Sequence, residues 1–123
     1  MILEDLKEFV VQNGLAKERD VKFDYDSTKG EEVVVLNLYN SVPCDLARRS
    51  SVKITVKNFS LVKVREICFA LHDLLFPEDC FQKSILINGK IMHTKLNKGP
   101  FYLEKDSSKR HCYVLDITVT HNR

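Results

Sequence analysis

At 123 residues the chain has the length of one domain, enough to bury about two thirds of the surface its unfolded form exposes. Its composition, 44% hydrophobic and 29% charged, is that of an ordinary globular protein, and no run approaches the roughly 20 apolar residues of a membrane-spanning helix. With 19 basic and 17 acidic residues the net charge is +2, too weak a field to support nucleic-acid binding by charge alone.

The N-terminal stretch Met1 to Asn13 places Ile2, Leu3, Leu6, Phe9 and Val10 at helical spacing, with Gly14 as a stop. Its acidic, amphipathic start is unlike a signal peptide, so the chain is expected to stay in the cytoplasm of the cell that makes it. Val21, Phe23 and Tyr25 alternate with Lys22, Asp24 and Asp26. A turn at Asp26–Gly30 and an apolar run from Val33 to Tyr39 complete what reads as a β-hairpin. From Asn40 to Arg49 the periodicity stops, and Pro43 among polar residues predicts a loop reaching out between strands.

Ser51 to Leu75 is the clearest unit. Val52, Ile54 and Val56 alternate with Lys53, Thr55 and Lys57, as in a strand with one buried and one wet face. After Asn58-Phe59-Ser60 the apolar residues Leu61, Val64, Cys68, Leu71 and Leu75 fall three or four apart, predicting a helix with Ser60 as its N-cap and Pro77 past its end. Ser84–Ile87 and Ile91–Thr94 flank Asn88-Gly89, a strong hairpin signal because the turn needs two positive φ angles. Gly99-Pro100 is expected to break the chain before Phe101-Tyr102-Leu103, and a polar tip precedes a last strand from Cys112 to Thr120. The order α-β-β-β-α-β-β-β-β predicts one α+β domain over residues 1–123. Its sheet is mostly antiparallel, with a short N-terminal helix and a long helix after the third strand.

Candidate chemistry is sparse. Cys44, Cys68, Cys80 and Cys112 are scattered without metal-ligand spacing, so reduced thiols are expected, with Cys68 and Cys112 in the core. Asp24, Asp26, Glu31 and Glu32 have the oxygens a hard cation wants, but they alternate with apolar residues or occupy a turn, and a solvated hairpin edge accounts for them better. The histidines at 72, 93, 111 and 121 have no mutual spacing suited to a metal, and no nucleophile or phosphate-loop motif occurs. No enzyme, cofactor or metal is expected. Two basic tips, Arg48-Arg49 and Lys105/Lys109/Arg110/His111, have the charge to meet phosphate or carboxylate groups, or serve solubility alone.

The succession of an N-terminal helix ending in N-G-L, an extended hairpin, a Pro-containing loop, the strand and helix S-V-K-I-T-V-K-N-F-S-L-V-K-V-R-E-I-C-F-A-L-H-D-L-L, then G-P-F-Y-L-E-K-D and Y-V-L-D-I-T-V resembles the minor capsid or tail-terminator proteins of long-tailed bacteriophages. The resemblance covers nearly the whole chain and implies a structural protein that caps the tail tube as a six-membered ring. Such a ring ends tube polymerisation and offers a joining surface to the head, as a tail terminator or, alternatively, as a head-completion (connector) protein. The implied partners are further copies of the chain, the tail-tube protein and a neck protein, with DNA passing through the lumen and no membrane involved. The implied location is the head-proximal end of the virion tail, or of a phage-tail-like particle, with assembly in the host cytoplasm. Subunit or tube contacts are expected at Tyr39, Arg48, Arg49, Lys53, Lys57, Phe101 and Tyr102, near free strand edges and the long loop. A small nucleic-acid-binding or processing protein is the alternative from another class.

Overall fold

The computed structural model describes residues 2–25 and 30–122. Helix α1, Ile2–Gln12, buries Ile2, Leu3, Leu6 and Val10. It closes with the Leu15 N–H on the Val10 carbonyl and the Gly14 N–H on that of Val11, the paired bonds of a Schellman stop. A 3-10 turn at Glu18–Asp20 leads into strand β1, Val21–Phe23. Strands β2, Glu32–Cys44, and β3, Ala47–Asn58, precede helix α2, Leu61–Leu75. Strands β4, Gln82–Ile87, β5, Lys90–Lys105, and β6, His111–Asn122, complete the chain.

The strand-to-helix unit forms as its pattern predicts. The Ser60 hydroxyl accepts the Lys63 N–H at 3.3 Å, Asn58 Oδ1 accepts the Ser60 N–H at 2.8 Å, and Pro77 opens the short 3-10 turn after the helix. Val64, Cys68, Leu71 and Leu75 form its buried stripe. They meet Val52, Ile54 and Val56 of β3 and Leu115, Ile117 and Val119 of β6 in a single core that also takes in α1. Cys112, too, is buried.

The six strands lie in the order β1-β2-β3-β6-β5-β4 and pair antiparallel, except for β1 on β2. This is a single α+β domain with both helices packed on one sheet. Helix α1 touches both β2 and β4, the second and the last strands. In a flat sheet these would stand about 19 Å apart at the usual strand spacing; the sheet instead curls around the helices.

Three expectations change. Residues 21–39 form no hairpin, because β1 runs parallel to β2, with Val21 opposite Val34. At Asp24, φ 66°, the chain is pinned to β2: its N–H donates to the Leu36 carbonyl and its Oδ1 accepts the Leu38 N–H. The predicted turn at 26–29 lies outside the described residues.

Asn40 to Arg49 is no loop either. After a register shift at Tyr39, Asn40–Cys44 pairs residue by residue with Ala47–Ser51 around a two-residue turn, Asp45-Leu46. Pro43 is tolerated because β1 reaches only Val34–Leu36, leaving this part of β2 an open edge. Periodicity failed there because much of the arm is wet on both faces.

Gly99-Pro100, in cis, does not break the strand: β5 continues through it, with register shifts, along β6. A Cβ at residue 99 would collide with the Val114 carbonyl oxygen, so glycine is what lets the two backbones approach.

Candidate functional site

The helix-facing side of the sheet is apolar where α1 and α2 cover it and polar where the strands outrun them. Following β3 back from Val52, the same alternation brings Ser50 and then Arg48 to this face. On β6 it brings His121 after Val119, and on β2 the bulge delivers Ser41. These residues form one wall of a cleft of about 1020 Å³, closed on other sides by α1 and the start of β5. Ile2, Leu38, Ile91 and Met92 supply its apolar lining, and Asp5 and Lys90 stand at its edge.

Its polar groups are mostly committed to one another. The Ser50 hydroxyl lies 2.8 Å from His121 Nε2 and 3.2 Å from the Ser41 hydroxyl. His121 Nδ1 lies 3.0 Å from the Asn122 carbonyl, which can only accept, so Nδ1 is the donor there and the Nδ1–H tautomer leaves Nε2 to accept from Ser50. This is the hydrogen-bond order of a nucleophile and its base, but Ser50 is only 1% exposed and among the described residues no carboxylate backs the imidazole, so the pair reads as a strut between β3 and β6.

Asp5, itself buried, accepts Asn88 Nδ2 at 2.9 Å and Lys90 Nζ at 3.2 Å. Burial works against its charge, but Asn88 and Lys90 outweigh that and hold its carboxyl below the ordinary range. Arg48 is different. It sits opposite His121 in register, and its Nη1 is buried without a hydrogen-bond partner among the described residues. A buried guanidinium nitrogen left unmatched is costly, and a carboxylate or phosphate oxygen would satisfy it.

The other expected contact residues do not gather at this cleft. Tyr39, Lys53 and Phe101 are on the opposite face. Tyr39 bulges from β2 and donates to Asp116 Oδ1 at 2.7 Å; burial and the adjacent carboxylate push its phenol up. Asp116 also accepts Asn97 Nδ2 at 3.3 Å and stands opposite both Lys53 and Lys98, so four strands share one polar row. Phe101, half-buried, lies under Lys98 Nζ, 4.9 Å from its ring centroid. Arg49 is exposed, its Nη2 3.9 Å from Cys44 Sγ. Tyr102 is on the helix side near the far end, its hydroxyl 3.0 Å from His111 Nδ1 and its ring edge-on to Tyr113.

Two expected basic contacts are occupied within the chain. Lys57 Nζ lies 3.6 Å from Asp106 Oδ2, not out in solvent. Arg110, expected on a basic tip, is buried; it holds Asp106 and donates from Nη1 to the Gly30 carbonyl at 3.1 Å. Arg110 is thus withdrawn from the tip's surface, while Lys105 and Lys109 stay exposed there. Among the described residues no three His, Cys, Asp or Glu come together as a metal site would require.

Exposed apolar side chains occur on α2, at Leu61, Val62, Phe69 and Leu74, and also at both ends of the sheet. Leu46, at the tip of the β2–β3 arm, is 89% exposed, and Val42 is beside it on the arm. At the far end of the strand order, Leu86 of β4 faces Ile91 of β5 across the hairpin, at 64% and 75%, with Phe81 just before β4.

No protein-family model matches the chain, and a search of curated proteins finds no match. Sequence reasoning missed Ser41, Ser50 and His121. Continuing the β3 alternation backwards through Ser50 and Arg48 was the available signal, hidden by reading 40–49 as a loop.

Proposed function

We propose that the protein is a structural component of a long-tailed phage, or of a phage-tail-like particle, that closes as a ring on the finished tail tube. There it ends tube growth and presents a joining surface to the head. The observation that carries this reading is the pair of unlike apolar patches on the two free edges: Val42 and Leu46 on the arm, Phe81 and Leu86 on β4. Ring formation is heterologous, and each subunit must offer two different surfaces to its neighbours. Free strand edges and a protruding hairpin are suited to that pairing.

Size and charge agree with it. A chain of this length has a radius of gyration of about 14 Å and a diameter of about 35 Å. Six such bodies in contact leave a central hole of about the same width, wide enough for duplex DNA. A net charge of +2 suits a lumen that lets DNA slide without gripping it. The partners are further copies of the chain, the tail-tube protein and a neck protein. The resemblance of the strand-to-helix unit and the Gly99–Asp106 segment to tail-terminator proteins points the same way.

Electron microscopy of particles lacking this protein is the test. Tails of irregular length, or tails without heads, are expected; tails of normal length already joined to heads would refute the role. A strict monomer that binds DNA with a steep salt dependence would instead favour the nucleic-acid-binding reading. The commitment of Lys57 and Arg110 to Asp106 does not favour it.

A further inference from the structure

We infer that the cleft around Arg48 is the seat for the tip of the β2–β3 arm of a second copy, with Asp45 pairing to Arg48 and Leu46 filling the apolar side. The inference deepens the ring reading by naming the junction, and it rests on that reading only in requiring a second copy.

The argument is one of complementarity. The cleft favours an anion, because the Arg48 guanidinium lines it with Nη1 unpartnered among the described residues while Lys90 is already held by Asp5. It also needs an apolar group, because Leu38, Ile91 and Met92 line it. The arm tip offers both on adjacent residues. Leu46 is 89% exposed. Asp45 is exposed, and among the described residues its side chain makes no hydrogen bond or ion pair. A two-residue turn with Asp45 at φ 55° holds the two side chains in a fixed relation at the end of a paired arm, so little entropy is lost on docking. At about 1020 Å³ the cleft has room for both side chains. Occupying it would satisfy the guanidinium and cover Leu46 together, where a free inorganic anion would satisfy only the first.

Charge exchange between two variants tests the junction. Asp45→Arg puts a cation at the tip and Arg48→Glu puts an anion in the cleft, so each variant alone opposes like charges at every junction. Mixed in equal amounts, each tip meets an opposite charge in the other variant's cleft. Light scattering across a concentration series should show wild-type self-association, weakened at least about thirtyfold in each single variant and recovered in the mixture. Circular dichroism melts of both variants check that each is folded, and Leu46→Asp, on the exposed tip, gives a second variant that must also weaken association.

Single variants that associate like wild type, a mixture that does not recover, or a wild-type chain that stays monomeric throughout would each overturn the inference. A clash confined to one chain, between Asp45 and Arg48 of the same hairpin, predicts no recovery on mixing. Recovery to a two-fold dimer and nothing larger would keep the junction and count against the ring. Recovered association with normal tails in particles lacking the protein would keep the junction and remove the terminator role.

Discussion

Asp106 holds Arg110 in a two-pronged grip, with the guanidinium Nε at 3.0 Å and Nη2 at 2.9 Å from one carboxylate oxygen, while the other oxygen takes the backbone N–H groups of Ser108 and Arg110. Burial raises the cost of the Asp106 charge, but the Arg110 hydrogen bonds and the charges of Arg110 and Lys57 outweigh it and hold the carboxyl below its ordinary range. A depressed folded-state value contributes stability that is present above the unfolded value, about 3.9, and is lost as pH falls through the folded one. Asp106→Asn should therefore destabilise the protein by about 1.5–3 kcal/mol at pH 7, because Arg110 loses its charge-assisted hydrogen bonds to the carboxylate. It should also flatten the acid side of the stability curve. Urea melts from pH 7 down to pH 2.5 measure both, and a variant with wild-type midpoints throughout would contradict the account.

The four thiols should react in two classes. Cys68 is fully buried against the sheet, and burial pushes its thiol up to about 12; burial also raises Cys112. Cys44 and Cys80 are half-exposed. Alkylation at pH 8 followed by mass spectrometry should modify Cys44 and Cys80 first and reach Cys68 only at the rate of unfolding. Rapid native labelling of Cys68 would mean that α2 is not seated as described.

Gly99→Ala should cost about 2–5 kcal/mol, combining a positive φ of 99° with a Cβ driven into the Val114 carbonyl oxygen. Gly89→Ala provides the contrast: its φ is also positive, but nothing lies within 4 Å of the added Cβ, so about 1–2 kcal/mol is expected. Thermal melts giving the two variants equal losses would show that the approach of β5 to β6 is not what requires glycine.

Leu71 and Leu46 should behave as opposites. Leu71→Ala empties a fully buried site under α2 and should cost about 2–5 kcal/mol. Leu46→Ala, at the exposed arm tip, should change the stability of the isolated subunit by less than about 0.5 kcal/mol. Denaturant titration of dilute protein separates the two, and a large loss at Leu46 would place it in the fold rather than at a contact.

What the sequence made legible follows one rule: patterns were readable where one face is buried and one is wet. The β3 alternation and the α2 stripe were visible for that reason, while the Ser60 cap and the Asn88-Gly89 turn, with φ of 51° and 76°, were visible from their capping and turn chemistry. The arm at Asn40–Arg49 was not, because much of it is open to solvent on both sides and its strand partner is local. The parallel pairing of β1 escaped because Val21 and Phe23 alternate identically in either direction; only the side-chain and backbone bonds at Asp24 set the sense. The cleft escaped because Ser41, Ser50 and His121 are distant in sequence and meet only once β2, β3 and β6 are aligned.

The bond from Asp5 to Lys90 spans 85 residues, and α1 rests on strands from both halves of the chain. During synthesis the first helix leaves the ribosome with its apolar stripe of Ile2, Leu3, Leu6 and Val10 formed and nowhere to put it. The central pairing of β3 with β6 needs residues up to 122, so the groove that receives the helix exists only once β6 has been made. Helix α1 is thus made well before the groove that seats it, and until then its hydrophobic face is what a chaperone, or another nascent copy, would meet.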